Sequence, residues 1–265
     1  IVGAWGEGRV TRTNNMKAYR AELHVHTVLS PCAEIEMLPP LIIQTAQQKG
    51  IQMLAITDHN ATTNIQAVQR AAEGTGIHIF PGMELQTKEE VHALCLFDTL
   101  EQAQNFQKIV NTCLPPLQNA SEYFGIQLIV DQEGELVREE TQLLLTSTTL
   151  SLHQAWEQVN TLGGLFIPAH VNRKAFGLIE TLGFVPDDIQ IEALEISSHL
   201  TPEQARHHFP QLAGYSLIQS GDAHRLEEML GLNQFFIESP SIYEIRKAIH
   251  GNEERTLILL PRECT

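Results

Sequence analysis

The stretch RAELHVHT at residues 20–27 is followed by an amphipathic segment and then by a second apolar stretch, QMLAITDHN at residues 52–60. Between them, apolar side chains at positions 38, 41, 42 and 46 have the spacing of one helical face, and Gly50 ends that helix. A second helical stripe at positions 65, 68, 71 and 72 ends at Gly74. These residues predict two consecutive strand–helix units.

The same alternation continues along the rest of the chain. Further strands are predicted at residues 77–80, 91–97, 165–169, 194–197, 215–220, 235–238 and 256–260. Residues 114–150 interrupt the pattern with turn residues and charged runs, so we expect an insertion there. Repeated strand–helix units predict an α/β fold with a mostly parallel sheet, either open or closed into a barrel. We expect one domain over residues 16–265, preceded at residues 1–15 by an upstream extension or a remnant of cloning.

The composition excludes several classes of protein. With 43% hydrophobic residues the chain can bury a large core, and it has no apolar run long enough for a membrane span, so no membrane partner is expected. Four cysteines without Cys-x-x-Cys spacing argue against a disulfide framework, and the expected location is the cytoplasm. The 32 acidic and 17 basic residues give a net charge of −15, which disfavours tight binding of long duplex nucleic acid and favours bound cations.

Metal-type ligands lie in or directly after the predicted strands. They are His24 and His26 in the first strand, Asp58 and His59 after the second, Glu84 after the third, His92 in the fourth, and His170, His199, Asp222 and His224 after later strands. His-x-His in a strand places both imidazoles on one face, because side chains alternate with a period of two. The carboxyl ends of parallel strands converge on one cleft, which is where α/β folds bind ligands.

Each of these residues has an ordinary alternative role when it is considered alone. A single His-x-His occurs in half-buried strands, and Asp58 could cap the following helix. The joint pattern favours a metal site, and imidazole and carboxylate ligands without cysteine suit Zn, Mn or Fe. This many ligands exceeds what one ion needs, so two or three divalent ions sharing a carboxylate are expected.

The segments ELHVHT (22–27), AITDHN (55–60), PGMEL (81–85), PAH (168–170) and SGDAH (220–224) resemble the signature segments of the PHP (polymerase and histidinol phosphatase) family. The resemblance implies a distorted (β/α)7 barrel and a metal-dependent phosphoesterase that holds two or three Mn, Fe or Zn ions. It also implies that Glu84 is the bridging carboxylate of a metal-ligand set comprising His24, His26, His59, Glu84, His92, His170, Asp222 and His224.

Some positions depart from the family pattern. Many members carry an aspartate five residues after the second histidine of the first segment, where this chain has Pro31. Either Glu34 or Glu36 replaces it, or a third ion is weak or absent. Asp58 and His199 are expected either to bind an ion or to orient a neighbouring ligand.

The resemblance implies hydrolysis of a phosphate ester by metal-activated water, without a protein nucleophile. Arg173, Lys174 and Arg225 follow the ligand segments directly and are candidates for holding the substrate phosphate. The expected substrate is a small phosphorylated metabolite, a nucleotide or a short oligonucleotide, with mono- and diesters both open. The main alternative is a catalytically degenerate metal-binding or ligand-binding regulatory module. An amidohydrolase is a more distant one, because no lysine suited to carbamylation lies at a middle strand end.

Overall fold

The computed structural model describes residues 15–262, so the interpretation of residues 1–15 falls, apart from Asn15, outside the described residues. The strands are β1 (Lys17–Val25), β2 (Met53–Ile56), β3 (His78–Gln86), β4 (His92–Leu96), β5 (Leu128–Val130), β6 (Leu136–Glu139), β7 (Leu165–Pro168), β8 (Ala193–Ser197), β9 (Ser216–Ser220), β10 (Asn233–Ile237) and β11 (Thr256–Leu259). The α-helices are α1 (Pro39–Gln48), α2 (Ile65–Ala71), α3 (Leu100–Cys113), α4 (Ser121–Phe124), α5 (Leu152–Thr161), α6 (Leu178–Leu182), α7 (Pro202–His208) and α8 (Ile242–His250).

A seven-stranded sheet curls into a distorted barrel, and its strand order is β11–β10–β1–β2–β3–β4–β7. β1, β2 and β3 pair in parallel, whereas β4 is antiparallel to both of its neighbours, β3 and β7. β8 and β9 form a separate parallel pair that bridges the gap between β7 and β1. Backbone hydrogen bonds from Val171 to Glu195 and between Ala223 and His24 make the two connections. β10 and β11 extend the sheet from the edge of β1 that is opposite β2. The predicted α/β barrel is therefore confirmed.

Two apolar cores surround the barrel wall. The inner core fills the barrel with side chains such as Leu23, Phe80 and Ile218, and α8 packs against it. The outer core lies between the strands and helices α1, α2, α3 and α5. This two-sided burial explains why the strands consist of nearly continuous apolar runs rather than alternating ones.

The helices begin where the sequence provides capping residues. Ser151 and Thr99 each accept a hydrogen bond from the backbone N–H three residues later, in reciprocal capping boxes with Gln154 and Gln102. Both helices therefore begin at capping boxes that their own sequences supply. Within residues 15–262, every helix falls short of the length and apolar character that crossing a bilayer requires.

The insertion predicted at residues 114–150 lies outside the barrel. It contains α4 and the two-stranded β5–β6 sheet, which has no ladder to the main sheet. Its backbone is tied to the barrel by Leu128 N–H donating to Val28 O and by the Asn60 side chain donating to Leu144 O and Thr146 O. The segment therefore covers the turns that follow β1 and β2.

Candidate metal centre

Glu84 is the centre of the predicted ligand cluster. Its carboxylate is buried, and five imidazole nitrogens surround it. The distances to a Glu84 carboxylate oxygen are 2.8 Å from His92 Nδ1, 2.9 Å from His59 Nδ1, 3.0 Å from His170 Nε2, and 3.3 Å from both His24 Nε2 and His26 Nε2. One carboxylate with histidines on both oxygens is the arrangement expected of a group that bridges two ions.

Asp222 is the second buried carboxylate of the cluster. Its Oδ1 lies 3.1 Å from His24 Nε2, 3.2 Å from His26 Nε2 and 3.6 Å from His224 Nδ1. Its Oδ2 pairs with the guanidinium of Arg173. His24 and His26 therefore lie between the two carboxylates, and all eight residues of the predicted ligand set converge on one place.

Irregular backbone positions several of these ligands. The β1–β2 register shifts between Glu22 and Val25, so Leu23 can pack in the inner core while the next residue, His24, also faces the cluster. Such bulges re-aim side chains next to functional sites. His170 and Asp222, which follow β7 and β9, have positive φ angles of 30° and 52°. Strain of this kind persists only where the surrounding structure enforces it, and it is concentrated at functional sites.

Polar groups behind the cluster fix the imidazole orientations. Glu195 accepts a hydrogen bond from His24 Nδ1 at 3.0 Å and another from the backbone N–H of His170 at 2.9 Å. His224 Nδ1 donates to the Asp222 carbonyl oxygen at 2.9 Å. Because Nδ1 carries the proton in both His24 and His224, their Nε2 atoms are free to act as ligands.

The charges in the cluster oppose one another strongly. Burial would lower the pKa of His24 and His26, but nearby carboxylates, chiefly Asp222, outweigh it and raise both, that of His26 to about 9. Burial instead dominates at His59 and His224, whose pKa values fall to about 4 and about 3. The surrounding histidines hold the pKa of Glu84 well below its usual range despite burial. Protons on His24 and His26 therefore balance the two carboxylates, in the place that cations would take.

The residues present fit divalent cations. His24 Nε2, His92 Nε2 and Glu84 Oε2 are buried without a well-directed hydrogen bond, although His24 Nε2 lies within ion-pair distance of both carboxylates. Three overlapping groups have donor atoms within 4.8 Å of one another: His26, His59 and His224; His24, His26, Glu84 and Asp222; and His59, Glu84 and His92. Buried polar atoms that lack hydrogen bonds but converge on one point are typical of a metal site.

The four residues that were expected either to bind an ion or to orient a ligand lie around the cluster. Asp58 directs both oxygens away from it, accepting hydrogen bonds from Thr27 and Ser30 at 2.7–2.8 Å. Ser30 Oγ in turn lies 2.9 Å from His26 Nδ1, so Asp58 acts on the cluster through Ser30. His199 is exposed on the wall of a neighbouring cavity.

Glu34 and Glu36 do not take the place of the missing aspartate. Both are exposed, and neither belongs to a group of potential ligands within residues 15–262. Glu34 pairs instead with Arg225 at 2.8 Å. Cys32, the residue after Pro31, lines a cavity together with Asp222 and His224. Desolvation of its thiol, together with the charges of Glu84 and Asp222, raises its pKa to about 12.

Two cavities open onto the cluster. The smaller has a volume of about 420 Å³, in the range of a small-molecule site, and its walls include Arg173, Lys174 and Phe176 together with cluster histidines. The larger, of about 1080 Å³, is lined by Arg173, Arg225 and His199 beside Asp222 and His224. The three predicted phosphate-binding residues therefore lie on the walls of these two cavities.

Sequence reasoning missed two buried carboxylates and one aromatic residue at the site. Glu195 lies in the apolar strand segment ALEIS, and Glu22 accepts hydrogen bonds from the backbone N–H groups of Gly221, Leu230 and Gly231. Burial raises the pKa of Glu22 to about 7. A charged residue inside an otherwise apolar strand was the available signal for Glu195, whereas Glu22 lies in a strand that also contains Lys17, Arg20 and His24. Phe176 had no comparable signal.

The comparisons with known proteins agree with this architecture. The model of the PHP domain matches residues 22–164, which is more than half of the 265 residues. An uncharacterized protein of Bacillus subtilis strain 168, YqxK, is 24% identical over 275 residues, covering 92% of this chain and 65% of the relative. A PolC-type DNA polymerase III from Staphylococcus epidermidis is 26% identical over 78% of this chain, but the match covers 16% of that protein.

Among solved structures, the lesion-specific endonuclease PfuEndoQ from Pyrococcus furiosus superimposes with a TM-score of 0.71 at 22% identity. The match covers 91% of this chain and 58% of the endonuclease, so this chain spans less than two thirds of these relatives' own lengths. That likeness shows a shared fold. With the family model covering both His-x-His and the Glu84 segment, the chain belongs to the PHP domain family.

Proposed function

We propose that this chain is a metal-dependent phosphoesterase that holds two or three divalent ions on the Glu84 cluster. The observation that carries the proposal is the Glu84 carboxylate, which is buried and has five imidazole nitrogens within 3.3 Å. A buried carboxylate needs cationic partners, and divalent ions held by these imidazoles would take the place of the protons that balance Glu84 and Asp222. Mn, Fe and Zn all suit this donor set.

The potential ligand groups support more than one ion. Glu84 is shared by two of the three groups, His26 by two, and His59 by two. Asp222 belongs to one group only, together with His24, His26 and Glu84. We therefore assign Glu84 as the bridging carboxylate, with His24, His26, His59, His92, His170, Asp222 and His224 as the other ligands.

Residues behind the cluster hold the proposed metal ligands in position. Divalent ions supply Lewis acidity and lower the pKa of water toward neutrality. Glu195 holds the His24 ring and the His170 backbone, so two ligands keep fixed positions relative to each other. Asp58 fixes the turn that carries Thr27 and Ser30. These hydrogen bonds keep the ligand side chains in place. The proposed mechanism uses no protein nucleophile.

Arg173 is the residue best placed to hold the substrate phosphate. Its side chain is partly exposed, pairs with Asp222 through Nη1, and lines both cavities. A guanidinium has five N–H donors in a planar fork, so one contact to Asp222 leaves donors for a phosphate. Lys174 is exposed on the wall of the smaller cavity. Arg225 is engaged by Glu34 and contributes less.

The substrate class that we propose is a phosphate ester of a small metabolite, a nucleotide or a short oligonucleotide. PfuEndoQ is a lesion-specific endonuclease and PolC a DNA polymerase, which supports including phosphodiesters. The net charge of −15 opposes long duplexes, because their phosphates are repelled unless cations at the site compensate.

The experiment combines elemental analysis with hydrolysis of p-nitrophenyl phosphate and bis-p-nitrophenyl phosphate in added Mn. Wild type is compared with His24→Ala, and the matched control is His207→Ala, an exposed histidine on α7. We expect wild type and the control to hold two or more ions per chain and to hydrolyse at least one ester. His24→Ala should lose both the bound ions and the hydrolysis. A metal-loaded wild-type protein without turnover would refute the phosphoesterase.

A second candidate is favoured by one observation. Glu34 and Glu36 are exposed and do not replace the aspartate that many family members have at the position of Pro31. A catalytically degenerate module would therefore bind ions or a phosphorylated ligand without hydrolysing it. The same experiment separates the two functions, because the module binds metal and a phosphate compound but leaves both esters intact.

A further inference from the structure

Phe176 is an exposed aromatic residue beside the metal cluster. Its ring stacks on His92 with centroids 4.4 Å apart and an angle of 4° between the planes. His92 in turn contacts Glu84 at 2.8 Å, so one residue separates the Phe176 ring from the bridging carboxylate. Phe176 nevertheless remains 39% exposed, so His92 covers one face of the ring while the rest remains accessible.

The backbone holds Phe176 in this position at a cost. Its φ angle is +59°, a backbone conformation that residues other than glycine rarely adopt. The carbonyl of Phe176 accepts a hydrogen bond from His92 N–H at 3.0 Å, and the Asn172 side chain ties the start of the loop to Ser197. A Cβ at Gly177 would lie 2.2 Å from the Arg173 carbonyl oxygen, which shows how tightly the loop folds on itself. An exposed apolar ring held in a strained, tightly fixed loop is typical of a functional position.

The same loop carries two cationic side chains, those of Arg173 and Lys174. Arg173 and Lys174 precede Phe176 by three and two residues, and all three line the smaller cavity with the cluster histidines. The larger cavity continues from Arg173 and Asp222, so the space beside the cluster exceeds what a phosphate group alone would fill. The loop therefore presents a phosphate-binding part and an apolar planar surface side by side.

We propose that Phe176 is the stacking surface for the nucleobase of a nucleotide substrate whose phosphate lies on the Glu84 cluster. This inference rests on the proposed phosphoesterase function and specifies its substrate. A nucleobase has a flat π-face and is joined to its phosphate through the sugar, which matches a ring and two cations on one short loop. Phe176 has no hydrogen-bonding side-chain group, so it recognises the base face and tolerates purines and pyrimidines alike.

The test compares Phe176→Leu with Phe176→Tyr in the metal-loaded protein. Leucine keeps an apolar contact with His92 but removes the ring, whereas tyrosine keeps the ring. Turnover is measured on adenosine 3′- and 5′-monophosphates and on glycerol 2-phosphate, which has no ring. Binding is measured by calorimetry with the adenosine phosphonate in which CH2 replaces the 5′ ester oxygen, and with methylphosphonate. Metal content is determined for each variant.

We expect Phe176→Leu to weaken binding of the adenosine phosphonate by about 5- to 150-fold, and to raise KM by the same factor for whichever adenosine monophosphate the wild type hydrolyses faster. This range corresponds to one base stacked on an aromatic side chain. The affinity for methylphosphonate, the turnover of glycerol 2-phosphate and the metal content should be the same in Phe176→Leu as in wild type. Phe176→Tyr should behave like wild type in every measurement. Equal losses on ring and ringless compounds, or no loss on either, would overturn the stacking role alone. Wild-type protein that turns over none of the esters would instead overturn the proposed function.

Discussion

Glu195 shows how one buried carboxylate controls two ligands at once. It accepts the Nδ1 proton of His24 and the backbone N–H of His170, residues that lie 171 and 25 positions away in the sequence. A carboxylate behind a histidine fixes the tautomer and raises the basicity of the ring. The Nε2 atom of His24 is thereby directed to the point between Glu84 and Asp222.

Replacing Glu195 by glutamine is expected to weaken metal binding about 10- to 100-fold, which is typical for loss of a carboxylate behind a metal-binding histidine. The measurement is a competition titration of Mn or Zn against a chelating dye. Glu192→Gln is the matched control, because Glu192 is close in sequence but pairs with Arg246 and His250 away from the cluster. Equal metal affinities in wild type and Glu195→Gln would remove the positioning role.

At the scale of elements, the segment after β9 depends on close backbone contact. A Cβ at Gly221 would lie 1.7 Å from the carbonyl oxygen of Glu228, and Glu22 accepts the Gly221 N–H at 3.1 Å. Asp222 follows directly, and His224 lies two residues further on. The buried Glu22 carboxylate and the missing side chain at position 221 therefore place both ligands.

Gly221→Ala is expected to abolish high-affinity metal binding and to lower the free energy of unfolding by about 1–3 kcal/mol, because the backbone of residue 228 must shift. The control is Gly214→Ala, where φ is +84° and nothing lies within 4 Å of the added Cβ. The control should lose about 1–2 kcal/mol from backbone strain but keep its metal. Denaturant unfolding and elemental analysis measure the two effects; full metal content in Gly221→Ala would contradict this account.

Helix α8 is tied to the segment before β11 by a carboxylate with a shifted pKa. Burial opposes ionisation of Glu244, but hydrogen bonds from Arg255 Nε and Nη2, at 3.0 and 3.2 Å, lower its pKa below the usual glutamate value of 4.5. The folded state therefore favours the ionised form. The resulting stabilisation is present above pH 4.5 and is lost as pH falls through the lowered pKa.

The stability difference between wild type and Glu244→Gln is therefore expected to be largest near neutral pH and to shrink as pH falls below 4.5. Urea unfolding of both proteins at several pH values measures it, and taking the difference cancels the titration of the cluster. The pair Arg138–Glu140, in which Arg138 is exposed and Glu140 partly buried, provides a control through Glu140→Gln, which should have little effect. A difference that grows on acidification would show that the sign is wrong.

Elements and ligands differed in how far the sequence alone predicted them. The strand–helix order and the convergence of His24, His26 and His59 follow from apolar periodicity and from alternation along strands. Glu84 was expected after its strand but lies inside β3, because that strand continues to Gln86 by pairing with antiparallel β4. Glu195 and Phe176 were not predicted, since their roles depend on contacts with residues 171 and 84 positions away.

At the scale of the whole molecule, the net charge bears on the substrate class that we propose. The chain has 32 acidic and 17 basic residues, and the cations near the site are the few on the walls of the two cavities. Affinity for long nucleic acids comes mainly from many phosphate contacts with basic side chains. This distribution suits a substrate with few phosphates.

Binding to a blunt 30-base-pair duplex at 0.15 M salt is therefore expected to be no tighter than about 10⁻⁴–10⁻⁶ M, the range of non-specific association. Fluorescence anisotropy measures it, and a second titration at 0.05 M salt reports how many phosphates are contacted. Nanomolar binding with a steep salt dependence would contradict the inference from charge.

The central claim is that Glu84 bridges ions held by the surrounding histidines, and locating the ions tests it most directly. An anomalous difference map from Mn-loaded crystals should show at least two peaks inside the barrel mouth. Two of them should lie about 2.0–2.3 Å from opposite oxygens of the Glu84 carboxylate, the usual metal–oxygen distance. Peaks at other positions, or a single peak that avoids Glu84, would contradict the account.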